Sequence, residues 1–234
     1  MNIKTNNQPR YTAITATTAA VTATIGLAAV SWIISIRQMN GMDMGTEAPI
    51  GTFPSFIAFW TVMMAAMMLP GAMPATVSKA RAGSRIADLL LFVGAYLAIW
   101  MIFGVPVYLM YRPHGTLVAG LITIAAGIYE LTPLKSYFRR RCHSNRSGIA
   151  FGMNCVGSSI GLMSMQVAIG VMSVTWMVVI AVLILAQKLL PVKKTVDIIF
   201  GLLIIAFGLL IIAEPSVIAV SLPSMPAMAP MKSM

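Results

Sequence analysis

The chain has 234 residues, of which 59% are hydrophobic and only 9% charged, and its mean hydropathy is +0.88. Soluble globular domains do not have this composition, so an integral membrane protein is the class that remains. The formal net charge of +10 would suit a nucleic-acid partner, but its distribution excludes that reading, because the basic residues are confined to alternate connections between apolar blocks.

Apolar blocks run over 11–36, 54–74, 86–111, 115–134, 148–166, 168–187 and 196–220, each of membrane-spanning or nearly spanning length. Lys4 and Arg10 precede the first block. Lys79, Arg81 and Arg85 follow the second. Lys135, Arg139, Arg140, Arg141 and Arg146 follow the fourth, and Lys188, Lys193 and Lys194 the sixth. Together these are 13 of the 16 Lys and Arg. The positive-inside rule then predicts an all-α, polytopic transmembrane bundle of about seven spans, with the N-terminus cytoplasmic and the C-terminus outside. Residues 1–222 form one helical domain, and residues 223–234 a Met/Pro-rich outer tail. The expected location is the cytoplasmic membrane of a prokaryote, and the expected partners are the lipid bilayer and other membrane subunits, with no nucleic acid.

The first block is too long for a signal-peptide core and lacks a small-x-small cleavage site before Arg37. Its Thr/Ala-rich half suits packing against protein. In the second block, Met63/Met67 and Met64/Met68 are stacked i,i+4 pairs, and Pro70 and Pro74 fall at its cytoplasmic end, where a break is tolerated. Glu130 lies near the cytoplasmic end of the fourth block, where a carboxylate at membrane depth is a functional candidate and an interfacial pairing with the nearby Lys135 is the competing reading. The fifth is the least hydrophobic. Its Gly148/Gly152 and Gly157/Gly161 pairs predict a central, closely packed helix, with Asn154, Ser158 and Ser159 bonding to neighbouring helices. Asp197 stands beside Lys193 and Lys194 and reads as an interfacial ion pair.

Methionine is the outstanding residue type, with 20 in the chain. Its thioether is a soft, neutral ligand suited to Cu(I), so copper is the expected metal. An outer set comprises Met39, Met42 and Met44 in the first loop, Met225, Met228 and Met231 (with Met234) in the tail, and His114. An inner set comprises Met63, Met67, Cys142 and Cys155. Flexible packing is the competing use of methionine. The two cysteines are expected to stay free rather than form a disulfide. No HExxH, GxSxG, Walker A or GxGxxG pattern is present, which argues against an enzyme.

Three stretches resemble a bacterial and archaeal family of predicted metal-binding integral membrane proteins of unknown function. Trp60 to Pro70 is similar to its W-x-x-M-x-x-A-M-M-x-P signature. Leu131-Thr132-Pro133-Leu134-Lys135 is similar to its L-T-P-L-K motif, and Cys155 to Met163 to its C-x-G-C-C-W-x-L-M motif. The resemblance covers about 54–191 and implies a shared fold and a metal site of cysteines. This chain departs from the pattern: Phe138 replaces the first cysteine after L-T-P-L-K, Ser158 and Ser159 replace the paired cysteines, and Ile160 replaces the tryptophan. Cys142 and Cys155 remain. Two thiols with nearby methionines suit Cu(I) but cannot make a tetrathiolate zinc or iron–sulfur site. The sequence therefore supports a copper-handling membrane protein. The alternatives are an accessory subunit of a complex such as a copper-dependent membrane monooxygenase and, with less support, a small-solute or ion transporter.

Overall fold

A computed structural model describes residues 8–39, 51–112, 114–144, 147–171, 173–190 and 194–214, with side chains from residue 17 onward and excluding those of 143–144. Eight helices are present among these residues: α1 Gln8–Met39, α2 Phe53–Arg81, α3 Ile86–Met110, α4 Thr116–Leu131, α5 Pro133–Ser144, α6 Gly148–Gly170, α7 Val174–Leu189 and α8 Lys194–Ala213. Five of them are long and apolar enough to cross a membrane, and α4 with α5 counts as a sixth crossing if the bent pair is taken as one span. Each of the seven apolar blocks of the sequence contains most or all of one of these helices. The remaining apolar helix, α7, has 16 residues, about 24 Å at 1.5 Å per residue, against a hydrocarbon core of about 30 Å.

Helix α6 is central, and its glycines explain why. A Cβ on Gly148 would lie 2.7 Å from the Phe92 carbonyl oxygen of α3, and one on Gly152 would lie 3.0 Å from Ile99 Cβ. On the opposite part of the helix, Gly157 meets the Phe138 ring of α5, and Gly161 lies against Ala126 and Tyr129 of α4. The absent side chains let three neighbours approach one backbone. The polar residues of α6 do less than expected between helices. Asn154 donates to Ala150 and Ser158 to the Cys155 carbonyl, both within α6.

A second glycine seam was not foreseen. Gly120 and Gly127 of α4 face Gly208 and Gly201 of α8 in antiparallel order. A Cβ on Gly127 would stand 2.9 Å from the Gly201 oxygen, and one on Gly208 would stand 3.0 Å from the Gly120 oxygen. The seven-residue spacing on each helix keeps both contacts on one face.

Helix α2 continues unbroken through Pro70 and Pro74 to Arg81; the break that this position would tolerate does not occur. Packing on several sides holds it. Met63, Met64, Met67 and Met68 are all at most 2% exposed, and Trp60 Nε1 donates to the Trp100 carbonyl of α3 at 2.8 Å. Met39 is the last residue of α1 and is buried, not a loop residue. Large aliphatic side chains such as Leu90, Leu91, Val182 and Leu203 cover the outside of the bundle, as lipid contact requires.

Candidate metal centre

The Leu131–Lys135 segment creates the bend that shapes the site. Thr132 closes α4 by donating from Oγ1 to the Tyr129 carbonyl at 2.7 Å, and the same oxygen accepts the Lys135 backbone N–H at 3.4 Å, opening α5. Pro133 occupies the first helical position of α5, where its missing N–H costs nothing. The two helices meet at 68°. Helix α5 is inside-out as a result. Lys135, Arg139 and Cys142, at i, i+4 and i+7, face inward and are at most 6% exposed, while Leu134 and Tyr137 face out.

The upper part of this inward face builds a charge cluster. Lys135 pairs with Glu130 Oε2 and lies 3.4 Å from Asp197 Oδ1. Arg139 Nη1 donates to Asp197 Oδ1 at 2.6 Å, and its Nη2 donates to the Gln187 carbonyl and, at 2.9 Å, to that of Leu190. Arg139 thus caps the C-terminus of α7 while neutralising Asp197 at the start of α8. Gln187 Nε2 completes the set by donating to Glu130 Oε2 at 2.7 Å. Two cations balance two carboxylates, which buried charge requires. Two sequence readings are corrected here. Among the described residues Asp197 pairs with Arg139 and Lys135 of α5 and not with Lys194, and the Glu130–Lys135 pair is fully buried rather than interfacial. Lys193 lies outside the described residues.

One turn beyond Arg139, Cys142 meets Cys155 of α6. Both are buried free thiols, close enough to act on each other electrostatically. Lys188 of α7 and Tyr96 of α3 both contact the Cys155 sulfur. The Lys188 ammonium is 3.4 Å from the Tyr96 hydroxyl and 3.9 Å from Met68 Sδ. Its aliphatic stem fills the space left by Gly71, where a Cβ would lie 2.4 Å from Lys188 Cδ. The centre therefore holds two thiols, one thioether at the range of the ammonium, a cation and a phenol, contributed by α2, α3, α5, α6 and α7. Adjacent thiolates repel each other, and a neighbouring ammonium offsets that repulsion. A soft monovalent ion between the two sulfurs would do the same.

Of the inner residues expected from sequence, Cys142 and Cys155 are brought together. Met63 and Met67 are buried in the same core, and the methionine that meets the Lys188 ammonium is Met68. Lys188 and Tyr96 were missed; the Gln-Lys pair at the end of α7 was their only signal. Among the described residues no group of three or more His, Cys, Asp and Glu could hold a metal, so a metal here would depend on the thiol pair.

Of the outer residues, Met42, Met44, Met225, Met228 and Met231 lie outside the described residues, as does the tail 223–234. His114 is described, and both ring nitrogens face carbonyls: Nδ1 that of Arg112 at 2.8 Å and Nε2 that of Ala168 at 3.0 Å. It borders an apolar cavity of about 520 Å³ at the junction of α3 and α4, with Trp60, Met110, Tyr111 and Met163 among its walls. Burial holds the Tyr111 phenol above its usual range, so it stays a neutral wall at physiological pH.

A family model described as PpoB2, copper chaperone, matches residues 57–211. That range includes the thiol pair, Lys188, Met68 and the charge cluster. No curated protein and no solved structure matches the chain.

Proposed function

The chain belongs to the PpoB2 copper chaperone family, and from that premise we propose that it holds Cu(I) between the sulfurs of Cys142 and Cys155 and passes it on without itself catalysing a reaction. The observation that carries this reading is the meeting of these two thiols, from different helices, beside an ammonium and a thioether. Two thiolates suit Cu(I), which accepts low coordination numbers and soft donors. They are too few for a structural zinc site. Lys188 balances the negative charge that two thiolates around a monovalent ion leave behind. Tyr96, which accepts from Lys188 and stands beside Cys155, fixes the ammonium next to the sulfur. The charge cluster sets α5 against α7 and α8, and so places Cys142.

In this proposal the outer methionines Met42, Met44, Met225, Met228 and Met231 collect copper outside the membrane, and the partner subunits expected from sequence are the recipients of the metal. His114 and Met39 have weaker support as outer ligands, since one has both nitrogens turned to carbonyls and the other is buried in the core.

The test is an anaerobic Cu(I) titration of the full chain in lipid nanodiscs against a chromophoric Cu(I) chelator. Wild-type protein should compete for Cu(I), and Cys142→Ser or Cys155→Ser should weaken its binding at least about a hundredfold, as loss of a metal ligand outweighs loss of an outer partner. Wild-type affinity in both serine variants would sink the reading.

A further inference from the structure

We propose that Cu(I) reaches the Cys142–Cys155 pair from the cavity at the junction of α3 and α4, by way of the buried thioethers of Met163, Met64 and Met68. The inference rests on the reading of the thiol pair as the copper-holding centre.

The cavity and the thiol pair lie at different levels of the same two helices. On α6, Met163 lines the cavity and Cys155 is at the thiol centre, eight residues away. On α2, Trp60 lines the cavity, and Met68, also eight residues away, is the thioether beside Lys188. Eight residues of helix span about 12 Å, so the helices run antiparallel between the same two places over the same length. Met64 stands halfway, one turn from each end of the α2 stretch, and is fully buried. All of these side chains belong to one contiguous buried core.

The chemistry of the line suits a monovalent soft ion and little else. At the cavity, Met110 is 81% exposed and Met163 is 4% exposed, so one thioether stands toward the surroundings and the next is inside. The cavity walls are largely apolar, and a strongly hydrated divalent cation would have to shed its water there without recompense. Cu(I) loses little by the same transfer and gains sulfur ligands. Thioethers are neutral, flexible and unbranched, so each can take up and release the ion by a rotamer change. Copper stays Cu(I) throughout. At each step a new Cu–S bond forms and an old one breaks. At the end two Cu–thiolate bonds replace Cu–thioether bonds, and the thiol protons are released to solvent. The thiolates bring negative charge to the ion, which the methionines cannot do, so the line runs from weak to strong binding.

The experiment is stopped-flow loading of the full chain in nanodiscs, with Cu(I) supplied as its acetonitrile complex and the thiolate-to-copper charge-transfer band as readout. Met64→Leu and Met163→Leu keep volume and apolarity and remove the sulfur. Loading should slow by about tenfold or more in each, with the equilibrium affinity for Cu(I) unchanged. Met101→Leu, at a half-exposed site on α3 away from the line, should load at the wild-type rate. Loading at the wild-type rate in Met64→Leu and Met163→Leu overturns the route. So does an affinity that falls in step with the rate, because the thioethers would then belong to the holding site. If either variant does not fold, Val167→Trp, which narrows the cavity from its wall, is read in the same way. Neither result resembles failure of the holding site itself, in which the cysteine variants bind as tightly as wild type.

Discussion

Gln187 and Lys188 are consecutive residues of α7 that serve two different clusters. Gln187 donates to the Glu130 carboxylate at 2.7 Å, while Lys188 reaches Tyr96 and Cys155. The end of one short helix therefore ties the charge cluster to the thiol pair, and a disturbance on one side should be felt on the other.

Lys188→Met keeps the stem that packs against Gly71 and removes the charge. Cu(I) affinity should fall by about 10–100-fold, the usual effect of losing an outer partner of a metal ligand. Competition against a chromophoric chelator measures it, and an unchanged affinity would show that the ammonium is only packing.

Breaking the charge cluster should cost stability. Glu130→Gln leaves Lys135 buried with half of its compensation gone, and a loss of about 3–5 kcal/mol is expected. Thermal unfolding in a fixed detergent reads this out. The double variant Glu130→Gln, Lys135→Met should recover much of the loss, since no uncompensated charge then remains.

The seam between α4 and α8 predicts a contrast between glycines. Gly127→Ala would press a methyl to within 2.9 Å of the Gly201 oxygen and should cost about 1–3 kcal/mol through helix displacement. Gly94→Ala, with no atom within 4 Å of the new methyl, should be neutral or stabilising by about 0.5–1 kcal/mol, since alanine orders a helix more cheaply than glycine. Equal melting shifts in the two variants would contradict the seam.

The pH dependence of copper binding separates thiol from thioether ligands. Thiols must lose protons to ligate, so Cu(I) affinity at the Cys142–Cys155 pair should rise with pH until the free thiols are themselves ionised. A methionine site has no proton to lose, so its affinity should stay flat. Titrations at a series of pH values on wild type, and on a variant with Met42, Met44, Met225 and Met228 all replaced by leucine, should give the same rising curve. A flat curve in wild type would assign the copper to thioethers instead.

Much of this arrangement could be read from the residues. The helical membrane bundle follows from the hydrophobic blocks, and the packing role of α6 follows from Gly148, Gly152, Gly157 and Gly161. The glycines of α4 and α8 were passed over because their seven-residue spacing is invisible to a search at four. Helix α5 misled for a different reason. Arg139 and Lys135 sit in a basic run that reads as a solvated loop, and only the bend at Thr132–Pro133 turns that run inward. The meeting of Cys142 with Cys155 depends on the same bend, so sequence spacing alone could nominate the pair but not join it. Pro70 and Pro74 stand where a break would be tolerated, but the packing of α3 and α7 on α2 outweighs the local disruption.

The glycine seam also fixes an anchor point. Because Gly120 meets Gly208 and Ile212, the last turn of α8 lies beside the first turns of α4, at the end of the bundle where His114, Val118 and Met110 border the cavity. The chain that continues from Glu214 is tethered there by its covalent bonds. Met225 follows after 11 residues, a reach of at most about 40 Å from the anchor. The seam therefore sets, through the end of α8, the point from which that reach is measured.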